Sequence, residues 1–267
     1  MYKTGVITAS WVMEINDYQH APWPELVQKH WEKFGYDELD ALLGRIAQMG
    51  FGYVELWIGH TGDMCRTALW KGKSPADIVK LFDKHGLKIA SFCPGGIGKD
   101  TEAEPIFEFA KGLGVSMVTG WMGPQPEWWP TMVSYLERYD MRYGIEPHGP
   151  QYSIATPEQI LAACALSPRL GACPDTGVFV HQGVDAVEGV KAILPHVIHT
   201  HLKGFHKGQN RSCAPGDDDI GLDQVVRMLR DSNYQGVYSL EYEIDHNPDA
   251  ELKRSLEWML GILNEKK

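Results

Sequence analysis

Apolar residues recur along this chain in two alternating rhythms. Short apolar or β-branched runs, the length of single strands, occupy residues 2–9, 53–58, 87–93, 115–120, 143–146, 170–173, 197–201 and 237–241. Between them lie longer stretches with apolar residues at helical spacing. Asp37 is expected to cap a helix that turns Leu39, Leu42, Leu43 and Ile46 to one face and is closed by Gly50. Ser74-Pro75 and Thr156-Pro157 each place a capping hydroxyl before a proline at the first helical position. Further helices are predicted over 102–112, 128–139, 185–194 and 222–233. A final helix is capped at Asn247-Pro248 and carries Leu252, Leu256, Met259, Leu260 and Leu263 inward. The stretch 10–36, with Trp11, Tyr18, Trp23, Trp31 and Phe34, reads as a long aromatic connection after the first strand. Connections of that length in a compact domain are usually functional.

Eight strand–helix pairs predict an α/β fold of one kind, a single (β/α)8 barrel over 1–267. A doubly wound open sheet also alternates strands and helices. It is disfavoured because no Gly-x-Gly-x-x-Gly turn follows the first strand and polar residues mark many strand ends rather than one crevice. No Ser/Gly-rich linker or charge block marks a second domain.

The formal net charge of −10 argues against a general nucleic-acid surface. The five cysteines, Cys65, Cys93, Cys164, Cys173 and Cys213, are odd in number and lack paired spacing, which reads as reduced thiols. Met1-Tyr-Lys-Thr carries no signal-peptide pattern, and no apolar run is long enough for a bilayer. The expectation is a soluble cytoplasmic protein with a small-molecule partner and neither nucleic acid nor membrane. The aromatic first connection suits a lid over a ring, or packing against a partner subunit or a second copy.

Four successive apolar runs end in groups of one kind. Arg142-Tyr-Gly-Ile-Glu-Pro-His-Gly149 delivers Glu146, and the next three deliver Asp175, His201 and Glu241. Barrel enzymes gather chemistry at the carboxyl ends of their strands. Three carboxylates and one imidazole suit a hard-to-borderline divalent cation, Mn²⁺ first, then Mg²⁺, Co²⁺ or Zn²⁺. The bland alternative is four polar residues that cap loops. Around them, Lys203 leaves the seventh strand on the same face as His201, where it can polarise a substrate oxygen or pair with a carboxylate. His148 is placed to orient Glu146, and Glu55, beside Trp57, either meets substrate hydroxyls or belongs to a buried polar layer. Arg211 lies in the loop after strand seven, and His60 in a loop after strand two.

Several of these segments carry a resemblance. Val54-Glu-Leu-Trp57, Ile145-Glu-Pro-His148, Pro174-Asp-Thr-Gly177, His201-Leu-Lys203, Pro215-Gly-Asp-Asp-Asp-Ile-Gly-Leu-Asp223 and Gly236-Val-Tyr-Ser-Leu-Glu-Tyr-Glu243 follow in order along the whole chain. In that order the chain resembles the xylose-isomerase-like β/α-barrel superfamily of sugar isomerases, epimerases and related lyases, including inosose dehydratases.

The resemblance implies one divalent metal held by Glu146, Asp175, His201 and Glu241. It also implies that Glu146 and Glu241 exchange protons with a substrate carbon next to a carbonyl, through a metal-stabilised enediolate. The primary expectation is an isomerase or epimerase of a ketose or keto-polyol. The runner-up is a lyase that uses the same base and expels a β-hydroxyl or glycosyl group. Two departures affect the substrate set. Val178 stands where many relatives carry histidine, for which His181 is a candidate replacement, and Gly204 stands where relatives often carry aspartate. An endonuclease IV-like repair enzyme would need more ligands and basic loops. A non-enzymatic sugar-binding barrel would hold its ligand after chelation.

Overall fold

The computed structural model describes residues 2–59, 69–243 and 246–265, so His60 and Cys65 lie outside the described residues. Eight parallel strands form the wall: β1 Lys3–Ile7, β2 Tyr53–Trp57, β3 Lys88–Cys93, β5 Met117–Met122, β6 Arg142–Glu146, β7 Leu170–Ala172, β8 His201–His206 and β10 Val237–Glu241. Two short additions, β4 Gly96–Ile97 and β9 Arg211–Cys213, pair with β5 and β8. The ladder runs β7-β6-β5-β3-β2-β1-β10-β8. Parallel bridges Ala172↔Val197 and Asp175↔His201 join its two ends, so the sheet closes on itself. The expected (β/α)8 barrel is therefore the fold, with helices outside the ring.

Period-two alternation divides each strand between two environments. Val6, Val54, Leu56, Val118, Ile145, Ala172, Leu202 and Leu240 are fully buried, in the cluster formed with the helices. Burying one such valine, leucine or isoleucine side chain contributes roughly 1.5–3 kcal/mol. The alternate residues include Ser91, Thr119, Glu55, Glu146, His201 and Glu241, buried polar groups that line the barrel interior. Gly144 makes room among them. A Cβ there would stand 3.0 Å from Thr119 Cγ2 and 3.2 Å from Cys173 Cβ, with His199 Cβ next at 3.8 Å.

Several helix ends follow the capping chemistry. Ser74 and Thr156 accept from the N–H of Asp77 and Gln159 at the starts of α4 Pro75–His85 and α7 Pro157–Cys164. Asn247 accepts from Ala250 to open α11 Pro248–Leu263. The α3 helix, Tyr36–Met49, begins before the expected Asp37 cap. Glu38 reaches back to the Gly35 N–H at 2.9 Å, and Asp37 sits in the first turn, where its charge favours the helix dipole.

Two further expectations change. The stretch 10–36 is not an open loop: it holds α1 Val12–Ile15 and α2 Trp23–Lys33, and α2 buries Leu26 and His30 at helical spacing. The seventh strand begins at His201 rather than ending there. Pro174 has no N–H to extend the β7 ladder, so residues 197–200 join β7 through isolated contacts, and β8 then continues into an antiparallel hairpin with β9. No described helix is long and apolar enough to cross a membrane.

Candidate metal and active centre

Four strands deliver the expected quartet to one place. Glu146 ends β6, Asp175 follows β7, His201 opens β8 and Glu241 ends β10. Each offers a ligand atom within 4.8 Å of the others, and all four are buried. Asp175 is held by two roles at once. One oxygen caps α8 Thr176–His181 by accepting from the Val178 N–H at 2.9 Å, while Oδ2 is left buried and unbonded. His201 turns Nδ1 toward the centre, 3.1 Å from Glu146 Oε1 and 3.5 Å from Glu241 Oε2. Its Nε2 faces the opposite way, 2.9 Å from Glu55 Oε2.

Whether the quartet fits a cation is decided by its unbonded atoms. Asp175 Oδ2, His201 Nδ1 and Glu241 Oε2 are all buried without a hydrogen-bond partner. Buried polar atoms that converge without a hydrogen-bond partner are satisfied by a cation placed between them. Two atoms bonded to one ion at about 2.0–2.2 Å stand about 3.0–3.5 Å apart across tetrahedral or octahedral edges, which matches the His201 separations. The residues present fit a divalent ion.

Charge balance agrees. Lys203 is buried, with Nζ 3.2 Å from Glu241 Oε1, 3.7 Å from Asp175 Oδ2 and in contact with Glu243 Oε2. Gly177 lets it pass, since a Cβ there would lie 2.9 Å from Lys203 Cγ. Burial drives the Glu241 carboxyl well above the usual range despite Lys203, with Asp175 and Glu243 adding to the rise. Asp175 is raised by burial too, opposed by Lys203. Burial would also raise Glu146, but His201 and His148 hold it below the ordinary carboxylate range. The mouth therefore carries more carboxylate than its own cations neutralise.

The other expected residues divide sharply. His148 lies against Glu146, Nε2 to Oε1 3.1 Å, in the orienting position. Trp57 is buried at the end of β2, its ring 4.9 Å from His30 and 6.1 Å from the half-exposed Trp23. Glu55 belongs to the buried polar layer: it has no exposed surface, and His199, His201 and Thr119 all bond its carboxylate. His181 is exposed at the end of α8, edge-on to Phe205 at 6.4 Å. Six residues beyond Asp175 is one and two-thirds helical turns, which carries His181 to another face. Arg211 is exposed on β9, its backbone paired with His206. Both are exposed, and neither belongs to the buried quartet.

Glu243, His199, Thr119 and Thr176 escaped the sequence reading. Glu243 and His199 each lie two residues from a member of the quartet, so strand alternation was the available signal. Thr176 accepts the Lys203 N–H at 2.9 Å and donates to its carbonyl at 2.8 Å, tying α8 to β8. Nothing in the local sequence marks that contact.

A closed parallel barrel with a cation-fitting carboxylate–histidine centre at the carboxyl ends of its strands defines the class. The family model described as xylose isomerase-like TIM barrel matches residues 127–262, and the chain belongs to that family. Among curated sequences it is 32% identical over 88 residues to inosose dehydratase of Clostridium perfringens, covering 27% of this chain and 30% of that protein. It is 29% identical over 111 residues to inosose dehydratase of Mesomycoplasma hyopneumoniae, covering 34% and 37%. The matches thus span about a third of these relatives' length. Solved structures share the fold at lower identity. A xylose isomerase domain protein from Planctomyces limnophilus superposes with a TM-score of 0.68 at 14% identity, covering 98% of this chain and 97% of that one. The probable 3-DHS dehydratase AsbF of Bacillus anthracis gives 0.65 at 15%, covering 99% and 100%. A D-psicose 3-epimerase gives 0.70 at 14%, covering 98% and 100%.

Proposed function

We propose that this protein is a divalent-metal-dependent enzyme that moves a proton on the carbon next to a carbonyl of a ketose or keto-polyol, with isomerisation or epimerisation as the outcome. The observation that carries this reading is the convergence of three unbonded buried ligand atoms, from Asp175, His201 and Glu241, beside Glu146. Glu146, Asp175, His201 and Glu241 would hold the ion, Mn²⁺ in the first instance. When bound, such an ion polarises the carbonyl oxygen and spreads the charge left by proton removal.

The chain's own residues supply the proton handling. His201 and His148 favour the ionised form of Glu146 against its burial, and His148 fixes its direction, which suits Glu146 to take the proton. Glu241, tied to Lys203 through Oε1 on the neighbouring strand, is placed to return one. Lys203 also keeps Asp175 and Glu241 from repelling each other. The half-exposed Trp23, packed beside Trp57, offers apolar surface for the carbon face of a sugar ring.

A lyase outcome is the second reading, favoured by one observation: the curated sequence relatives are named inosose dehydratases. One experiment tests both. The protein, reconstituted with Mn²⁺ and checked by elemental analysis for a single ion, is incubated with ketoses and inososes in D₂O. Deuterium entering a carbon-bound position with epimer formation supports the first reading. Loss of water with a new enone or dione absorbance supports the second. Absence of exchange across the panel, or of stoichiometric metal, overturns both.

A further inference from the structure

Beneath the quartet lies a second buried cluster, Glu55, His199 and His201. We infer that Glu55 is a positioning residue for the metal centre: it holds the Nε2–H of His201 and thereby presents Nδ1 to the ion. The inference rests on the metal reading above.

The geometry is specific. Glu55 stands on β2, across the barrel from β8, and has no exposed surface on which a substrate could bind. Its Oε2 lies 2.9 Å from His201 Nε2 and also accepts from His199 Nε2, while Oε1 accepts from the Thr119 hydroxyl. An ionised carboxylate only accepts, so the proton on this side of His201 belongs to Nε2 and the lone pair to Nδ1. Nδ1 is the atom that faces Glu146 and Glu241 and has no hydrogen-bond partner. A carboxylate behind a ligating imidazole also raises its basicity and locks the ring plane. His199 and Thr119 keep Glu55 from turning away, so three groups in all hold this one buried carboxylate.

A second metal ion among Glu55, His199 and His201 is the competing use of this cluster. Direct hydrogen bonds at both imidazoles leave no room for an ion between these atoms.

Two measurements at one fixed pH test the inference. In the first, ¹⁵N-histidine-labelled protein saturated with Mg²⁺ is read by long-range ¹H–¹⁵N NMR. His201 is expected to carry its proton on Nε2; a proton on Nδ1 overturns the inference even where the protein binds its ion. In the second, Mn²⁺ affinity is measured by calorimetry for Glu55→Gln, whose neutral amide accepts more weakly, with circular dichroism confirming its fold. The expected loss is roughly 10- to 100-fold. A folded variant with wild-type affinity overturns the inference, whatever its thermal stability, because a merely structural carboxylate would lower stability alone. The NMR measurement uses the wild-type chain and stands if the variant fails to fold. Should the wild-type protein bind neither Mg²⁺ nor Mn²⁺, the metal reading itself fails along with this one. Normal binding with the opposite tautomer defeats this inference alone.

Discussion

Lys203 donates to Glu241 across two adjacent strands, Nζ to Oε1 3.2 Å, and register explains the contact: Lys203 and Glu241 are direct partners in the β8–β10 ladder. His201, two residues earlier, pairs with Ser239 instead. The ammonium is therefore built into the wall beside the quartet, and it is buried.

Lys203→Met removes a buried positive charge and leaves Asp175, Glu241 and Glu243 facing one another. The metal-free variant is expected to lose about 3–5 kcal/mol of stability, as when one partner of a buried pair is deleted. Saturating Mn²⁺ restores part of that loss by replacing the missing charge. Urea unfolding with and without Mn²⁺ measures both; equal stability of variant and wild type would remove Lys203 as the counter-charge.

Glu241→Gln keeps the size of the side chain but cannot shuttle a proton. Turnover at saturating Mn²⁺ is expected to fall roughly 10²- to 10⁴-fold, with far-ultraviolet circular dichroism unchanged. Wild-type turnover would take Glu241 out of the proton path and leave it a ligand alone.

His30 sets an acid-side limit on stability. It is fully buried against Phe34 and Trp57, with ring centroids 4.7 and 4.9 Å away, and neither of its nitrogens has a hydrogen-bond partner. Burial, aided by the positive charge of Lys71, lowers it to about 3 from 6.5. Above pH 6.5 the ring is neutral in both folded and unfolded chains and adds no pH dependence. Below 6.5 the unfolded chain takes up the proton and the folded one does not, until about pH 3. Stability therefore falls by about 1.4 kcal/mol per pH unit within that window. Urea unfolding at pH 6.5 and 5.0 is expected to show about 2 kcal/mol more loss for wild type than for His30→Leu. An identical pH dependence in the two proteins would show that His30 is not held neutral.

The fold was legible because strands and helices differ in the period of their apolar residues, and eight alternations have few closed solutions. The quartet was legible for a related reason: parallel strands around a barrel point the same way, so residues ending successive strands share one rim. Sequence by itself thus determined the barrel and named Glu146, Asp175, His201 and Glu241 as its rim groups, although His201 opens its strand instead of ending it. What it could not determine were relations across the barrel. Glu55 meets His201 at a separation of 146 residues, and no local pattern says whether a mid-strand carboxylate faces substrate or the packed interior. Nor does sequence say that His181 stands exposed at a helix end and Arg211 exposed on a β-hairpin, neither of them in the buried quartet. The seventh strand shifted because Pro174 shortens its neighbour's ladder. Only the tertiary structure decided which polar atoms were left without donors, because that depends on every other hydrogen bond in the interior having been made.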